Sequence, residues 1–153
     1  MKVLFLDVDG VLNSEEAIKS GSVKLKGDKA GHIDAYMAFL VGRIEMKTSC
    51  KVVLSSAWRY SEEDMKFISE RVVPIFDRTP FSGECGSGGF RGKEIKAWLD
   101  AHPEVTRYAI LDDDSDMLEE QMPCFFKTSW KEGITTEIAE KVISYLNGGK
   151  QSR

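Results

Sequence analysis

The stretch VLFLDVDGVLN, residues 3–13, decides how the chain is read. Val3 to Leu6 form an unbroken apolar run of strand length, without the alternation of a half-solvated strand, and so read as a strand buried on both faces. The run empties directly into Asp7 and Asp9. Two carboxylates at that point are not explained by folding alone.

Working outward, strand-like runs alternate with helix-period patterns, the order that favours a parallel sheet covered by helices on both faces. The expected class is α/β, a three-layer, Rossmann-like fold with a mostly parallel central sheet. Ile33, Tyr36, Met37, Leu40, Val41 and Ile44 recur at the spacing of an amphipathic helix. A second strand, KVVLSS at 51–56, precedes a helix opened by Ser61, with Asp64 three residues on in a capping-box pattern. Val72 to Phe76 suggests a short third strand. Glycine-rich SGECGSGGFRG, 82–92, reads as a mobile loop before a helix from Lys93 to Ala101 that ends ahead of Pro103. Another buried strand, RYAIL at 107–111, a last one near CFFKT at 124–128, and a helix from Thr136 to Leu146 stopped by Asn147-Gly148-Gly149 complete the pattern.

With 153 residues the chain can bury a core without disulfides or a structural metal, and residues 1–150 are expected to form one domain with 151–153 as a frayed tail. The composition, 42% hydrophobic and 30% charged, is that of a soluble protein, and a net charge of -4 argues against a strong sequence-independent grip on polyanions. Cys50, Cys85 and Cys124 are odd in number and make no C-x-x-C pair, which argues against a disulfide framework or zinc knuckle. Together with the lack of a secretory or membrane-spanning apolar run, they lead to the expectation of a cytoplasmic protein.

In an open α/β sheet, functional groups collect at the carboxyl ends of strands, near the point where strand order reverses. Asp7 and Asp9 lie at such an end, and Asp112, Asp113, Asp114 and Asp116 follow the strand 107–111 in the same way. Converging carboxylates repel one another and raise their own pKa values unless a cation neutralises them. Oxygen donors point to Mg²⁺ rather than zinc, since no histidine or cysteine has a suitable sequence neighbour. Ser55 and Ser56 end the second strand, where a hydroxyl could hold a phosphate oxygen. Arg91 and Lys93 open the next helix, where a cation and the helix dipole favour an anion.

In this order, D-x-D-G-V (Asp7 to Val11), strand-end Ser, a basic residue before a helix, then D-D-x-x-D (Asp112, Asp113, Asp116) resembles the four motifs of the haloacid dehalogenase (HAD) superfamily. More narrowly, LSSAWR at 54–59, RGKEIKAWL at 91–99 and ILDDDSD at 110–116 resemble small HAD domains associated with RNA-repair proteins and phage genomes. The resemblance implies a phosphatase: Asp7 the nucleophile that forms an aspartyl-phosphate, and Asp9 the general acid and then base, with its main-chain carbonyl reaching the metal. Asp112 would complete the Mg²⁺ site, with Asp113 or Asp116 as ligand or support. Ser55 or Ser56 would hold the transferring phosphoryl group, and Arg91 or Lys93 would supply the balancing cation. The aspartate at position 9 separates phosphatases from the dehalogenases and phosphate-transferring pumps of that superfamily.

With 47 residues between Asp7 and Ser55, partly used by a helix, Ser14 to His32 is left as a loop or flap rather than a cap domain. An open site admits a phosphomonoester displayed on something large, such as a nucleic-acid end or a protein; a nucleotide or nucleic-acid end is the substrate expected, and Lys19, Lys24, Lys26, Lys29, Arg78 and Arg91 could supply local contacts. Arg59, just past the second motif, is a further candidate for phosphate contact. Trp98 shares a helix face with Ile95 and reads as core; Trp58 reads as packed under its helix rather than as a base-stacking platform. His32 and His102 have no assigned role. Two rival readings are a phosphorylatable receiver domain, disfavoured because its acid pair precedes its phosphorylated aspartate, and a HAD-like binding or scaffolding module without turnover.

Overall fold

The computed structural model describes residues 1–25, 32–81 and 90–151. Five strands, β1 (Lys2–Leu6), β2 (Lys51–Leu54), β3 (Ile75–Arg78), β4 (Arg107–Asp112) and β5 (Phe125–Lys127), form one sheet in the order β3-β2-β1-β4-β5. Every pairing is parallel, so the expected mostly parallel sheet is parallel throughout the described residues. The helices are α1 (Glu15–Ser20), α2 (Ala35–Thr48), α3 (Glu62–Arg71), α4 (Phe90–Asp100) and α5 (Thr136–Leu146). This is the α/β, Rossmann-like arrangement.

Strand β1 lies at the centre because it can be buried on both faces. Val3, Leu4, Phe5 and Leu6 are fully inaccessible, each contributing about 1.5–3 kcal/mol of transfer free energy. Leu4 and Leu6 face one layer with Leu40 and Ile44 of α2, Ile68 of α3 and Val142 of α5. Val3 and Phe5 face the other with Ile95 and Trp98 of α4. Phe5 meets Trp98 edge-to-face, ring centroids 5.5 Å apart.

From β1 the chain steps outward through α2 to β2 and through α3 to β3, then returns through α4 to β4 on the far side of β1. Strand order reverses between β1 and β4, which puts a crevice at their carboxyl ends.

Several boundaries differ from the sequence reading. Ser14 caps a short helix, α1, its hydroxyl accepting the Ala17 N–H at 3.0 Å, so the segment expected as a plain loop is partly helical. Asp34 accepts the N–H groups of Tyr36 and Met37, starting α2 there, and the helix runs on to Thr48. The third strand begins at Ile75 rather than Val72, since α3 continues to Arg71 and Val73 is buried in the core. Ser61 caps α3 as expected, accepting the Asp64 N–H. Helix α4 starts at Phe90 rather than Lys93, which places Arg91 in its first turn rather than in the loop. The rest of the glycine-rich loop, 82–89 including Cys85, and the residues Lys26, Lys29, Ser152 and Arg153 lie outside the described residues.

Candidate active site

The sheet's register continues one residue beyond its strands. Ser55 N–H donates to Leu6 O (2.9 Å), Asp7 N–H to Leu111 O (3.0 Å) and Thr79 N–H to Leu54 O (3.0 Å). Thr79, Ser55, Asp7 and Asp112 therefore stand in one row across the carboxyl edge. Asp7, Ser55 and Asp112 follow Phe5, Val53 and Ile110 by two residues, and those three belong to the layer of α4. Strand alternation carries the three polar side chains toward the same layer.

There the carboxylates of Asp7, Asp112 and Asp113 converge, one oxygen of each lying within 4.8 Å of the others. Asp7 and Asp112 are buried and Asp113 half-buried. Arg91 enters from the first turn of α4, its Nη1 2.9 Å from Asp112 Oδ2 and 3.2 Å from Asp7 Oδ1. The cation beside the acids is thus Arg91, whereas Lys93, two residues on, is exposed.

Asp116 holds α4 in place: its carboxylate accepts the Arg91 N–H (3.2 Å) and its carbonyl the Gly92 N–H (3.0 Å). This cap comes from across the fold, which is why local sequence started the helix too late. Gly92 is needed for the approach, since a Cβ there would sit 2.6 Å from Leu118 N and 2.7 Å from Gln121 Oε1. Gly10, at φ +81°, does the same for the acids: a Cβ would fall 2.2 Å from Asp113 Oδ2. Asn13 and Thr128 bind the Gly10 N–H and C=O at 2.9 and 2.6 Å.

Burial and the neighbouring Asp7 charge push Asp112 up to about 8, against the opposing pull of Arg91. Asp113 is pushed up to about 6 by burial and again by Asp7. Burial opposes the charge on Arg91, but the carboxylates of Asp112 and Asp7 outweigh it and hold the guanidinium firmly protonated. Among the described residues, three carboxylates face one cation there, which leaves the edge short of positive charge, and their donors are all oxygens. That set fits a hard divalent cation.

The other expected site residues separate clearly. Asp9 is exposed and outside the converging trio; Asn13 Nδ2 donates to its Oδ1 (2.9 Å) and Trp58 Nε1 to its Oδ2 (3.2 Å). Asp116, also outside the trio, serves the helix cap. Ser56 Oγ accepts the Trp58 N–H and caps a 3-10 turn at Ala57–Tyr60, while Ser55 Oγ is fully buried without a partner. Thr79 Oγ1, Arg91 Nε and Asp116 Oδ1 are likewise buried and unpartnered. Orphaned polar atoms are rare in folded interiors; their gathering around one edge is what a site for a polar ligand looks like.

Arg59 corrects the sequence reading. Its guanidinium is buried, paired with Glu94 Oε2 at 2.7 Å and donating to the carbonyls of Ser55, Ser56 and Thr79. It braces the strand ends against α4 instead of facing a phosphate. Of the flap cations, Lys19 pairs with Glu15, and Lys24 folds back onto Ser22 and Ala17. Trp98 is core, and the half-buried Trp58 packs against the core beside Asp9. Asn13, Trp58 and Glu94 were missed as parts of the site's support; the D-x-D-G-x-x-N spacing was the one local signal for Asn13.

A family model described as "HAD domain in Swiss Army Knife RNA repair proteins" matches residues 3–139. No curated protein matches the chain.

Proposed function

Because the chain belongs to the family of HAD domains found in Swiss Army Knife RNA repair proteins, we propose that it is a Mg²⁺-dependent phosphatase that hydrolyses a phosphomonoester on a nucleotide or nucleic-acid end. Family membership suggests phosphatase-type chemistry on a phosphorylated substrate. The observation that carries the finer reading is the convergence of Asp7, Asp112 and Asp113, with Arg91 bridging Asp7 and Asp112.

In this reading an Asp7 oxygen attacks phosphorus, the bond to the leaving oxygen breaks, and an aspartyl-phosphate forms. Asp9 gives a proton to the leaving oxygen, then takes one from the water that cleaves the intermediate. Asn13 and Trp58 fix its orientation from either side. Arg91 offsets charge on the nucleophile, and the unpartnered Ser55 hydroxyl donates to a phosphoryl oxygen. Lys93 and Ser56 then have supporting rather than direct roles. Asp7, Asp112 and Asp113, with the Asp9 carbonyl, would hold Mg²⁺, which when bound supplies charge neutralisation at the phosphoryl group.

No described helix is long and apolar enough to cross a membrane, and Cys50 and Cys124 are unbridged, which supports a reducing, cytoplasmic setting. The test is Mg²⁺-dependent phosphate release across 5′- and 3′-phosphorylated oligonucleotides, mononucleotides, phosphosugars and phosphopeptides. Release from oligonucleotide ends, lost in Asp7→Asn, is expected. Preference for free sugar phosphates would overturn the substrate assignment, and no release from any would favour a binding module.

A further inference from the structure

Beside the row of strand-end residues runs a groove of ≈ 600 Å³ between the end of β3 and α4. It is lined by Thr79, Ala97 and Trp98, with the more exposed Tyr60 and Phe81 at its rim. Both rim rings are more than half exposed, 56% and 61%. They meet edge-to-face with centroids 5.4 Å apart. Arg59 lies 4.7 Å from the Tyr60 ring centroid, which fixes that ring from the protein side. A lone exposed aromatic is ordinary; two in perpendicular contact beside a groove offer a planar ring one face to stack on and a second ring to meet edge-on.

Resting on the phosphatase reading, we propose that this groove is a nucleobase subsite, in which the base next to the nucleotide that carries the phosphate stacks on one of the Tyr60 and Phe81 rings and meets the other edge-on.

Position is the first argument. Thr79 stands two strands from Asp7 in the same row, about 10 Å at ordinary strand spacing, a separation that a neighbouring nucleotide spans. The strand β3 is an edge strand, so a chain entering the groove can leave to solvent without threading through protein. Charge is the second. Arg78, its side chain 45% exposed, lines the groove, and among the described residues its Nη1 reaches Glu62, the Arg59 carbonyl and Met65 Sδ. The acid of the groove, Asp77, accepts the Trp98 indole N–H at 2.8 Å and is engaged with protein. A groove with two exposed aromatic rings and, among the described residues, a partly exposed Arg78 suits a single strand better than a phosphopeptide or a small sugar phosphate. Aromatic stacking is tolerant of base identity, so the subsite selects a nucleic-acid end without selecting its sequence.

The test compares a phosphorylated dinucleotide, the same molecule with an abasic neighbour, a phosphopeptide and glycerol phosphate, on wild type, Tyr60→Ala and Phe81→Ala. Loss of stacking raises the dinucleotide KM by about five- to 150-fold and leaves glycerol phosphate kinetics unchanged. The abasic dinucleotide shows the raised KM on wild type already and does not respond to the substitutions. Unfolding temperatures, together with Tyr60→Phe retaining wild-type KM, separate stacking from damage to Arg59. Oligonucleotide affinity by fluorescence anisotropy distinguishes this inference from the reading beneath it. Tyr60-dependent binding without phosphate release removes the phosphatase and leaves the subsite. Phosphate release with a dinucleotide KM indifferent to both rings, or equal ring dependence for the phosphopeptide, overturns the subsite.

Discussion

Binding of Mg²⁺ should expel a proton, and the amount follows from the site. Without a cation, burial and Asp7 hold Asp112 at about 8 and Asp113 at about 6. At pH 7, then, roughly nine in ten Asp112 side chains and one in ten Asp113 side chains carry a proton that must leave when both coordinate a cation. About one proton is released per ion. The apparent affinity should climb roughly tenfold per pH unit from pH 6 to 8, more steeply below 6, and level off above 8. The stability sign runs the other way in the cation-free protein. Both native values are raised above that of an exposed carboxyl, so between about pH 4 and 8 the native state binds more protons than the unfolded one, and stability falls as pH rises. Titration calorimetry in two buffers of different ionisation enthalpy at pH 7, with dissociation constants at pH 6, 7 and 8, measures both quantities. No proton release, with affinity flat across that range, would refute the claim that these carboxyls meet at a buried edge and share an ion.

Other perturbations test the supports. Gly10→Ala should weaken Mg²⁺ binding by at least about tenfold, since the new Cβ occupies the place of Asp113 Oδ2, and should cost about 1–2 kcal/mol in denaturant unfolding from the left-handed backbone. Arg59→Met should destabilise by about 3–5 kcal/mol in urea unfolding, because it removes the guanidinium that neutralises the buried Glu94 carboxylate at 2.7 Å. Trp58→Phe keeps the ring but removes the donor to Asp9; a kcat about tenfold lower with an unchanged unfolding temperature is expected.

Much of the site was legible because it lies at strand ends. A buried apolar run followed by aspartate marks both β1 and β4, and parallel register then brings Asp7 beside Asp112 without further information. What escaped the sequence was whatever depends on contacts across the fold. Asp116 caps α4 from beyond β4, so nothing near residue 90 announced the helix start. Arg59 lies close to the second motif and looked available, yet Glu94, thirty-five residues on, draws it inward. Ser55 and Ser56 are indistinguishable as letters; the 3-10 turn that follows occupies the Ser56 hydroxyl and leaves Ser55 without a partner. The start of β3 was similarly elusive, as α3 extends until Arg71 and pushes that strand downstream.

The nucleophile is the point on which the chemistry rests, and rapid acid quenching with a ³²P-labelled phosphomonoester and Mg²⁺ examines it directly. Label should appear transiently on the peptide carrying Asp7, map to that residue after borohydride reduction, and vanish together with phosphate release in Asp7→Asn. Sustained turnover with no label on Asp7, or turnover that survives its replacement, would contradict the account.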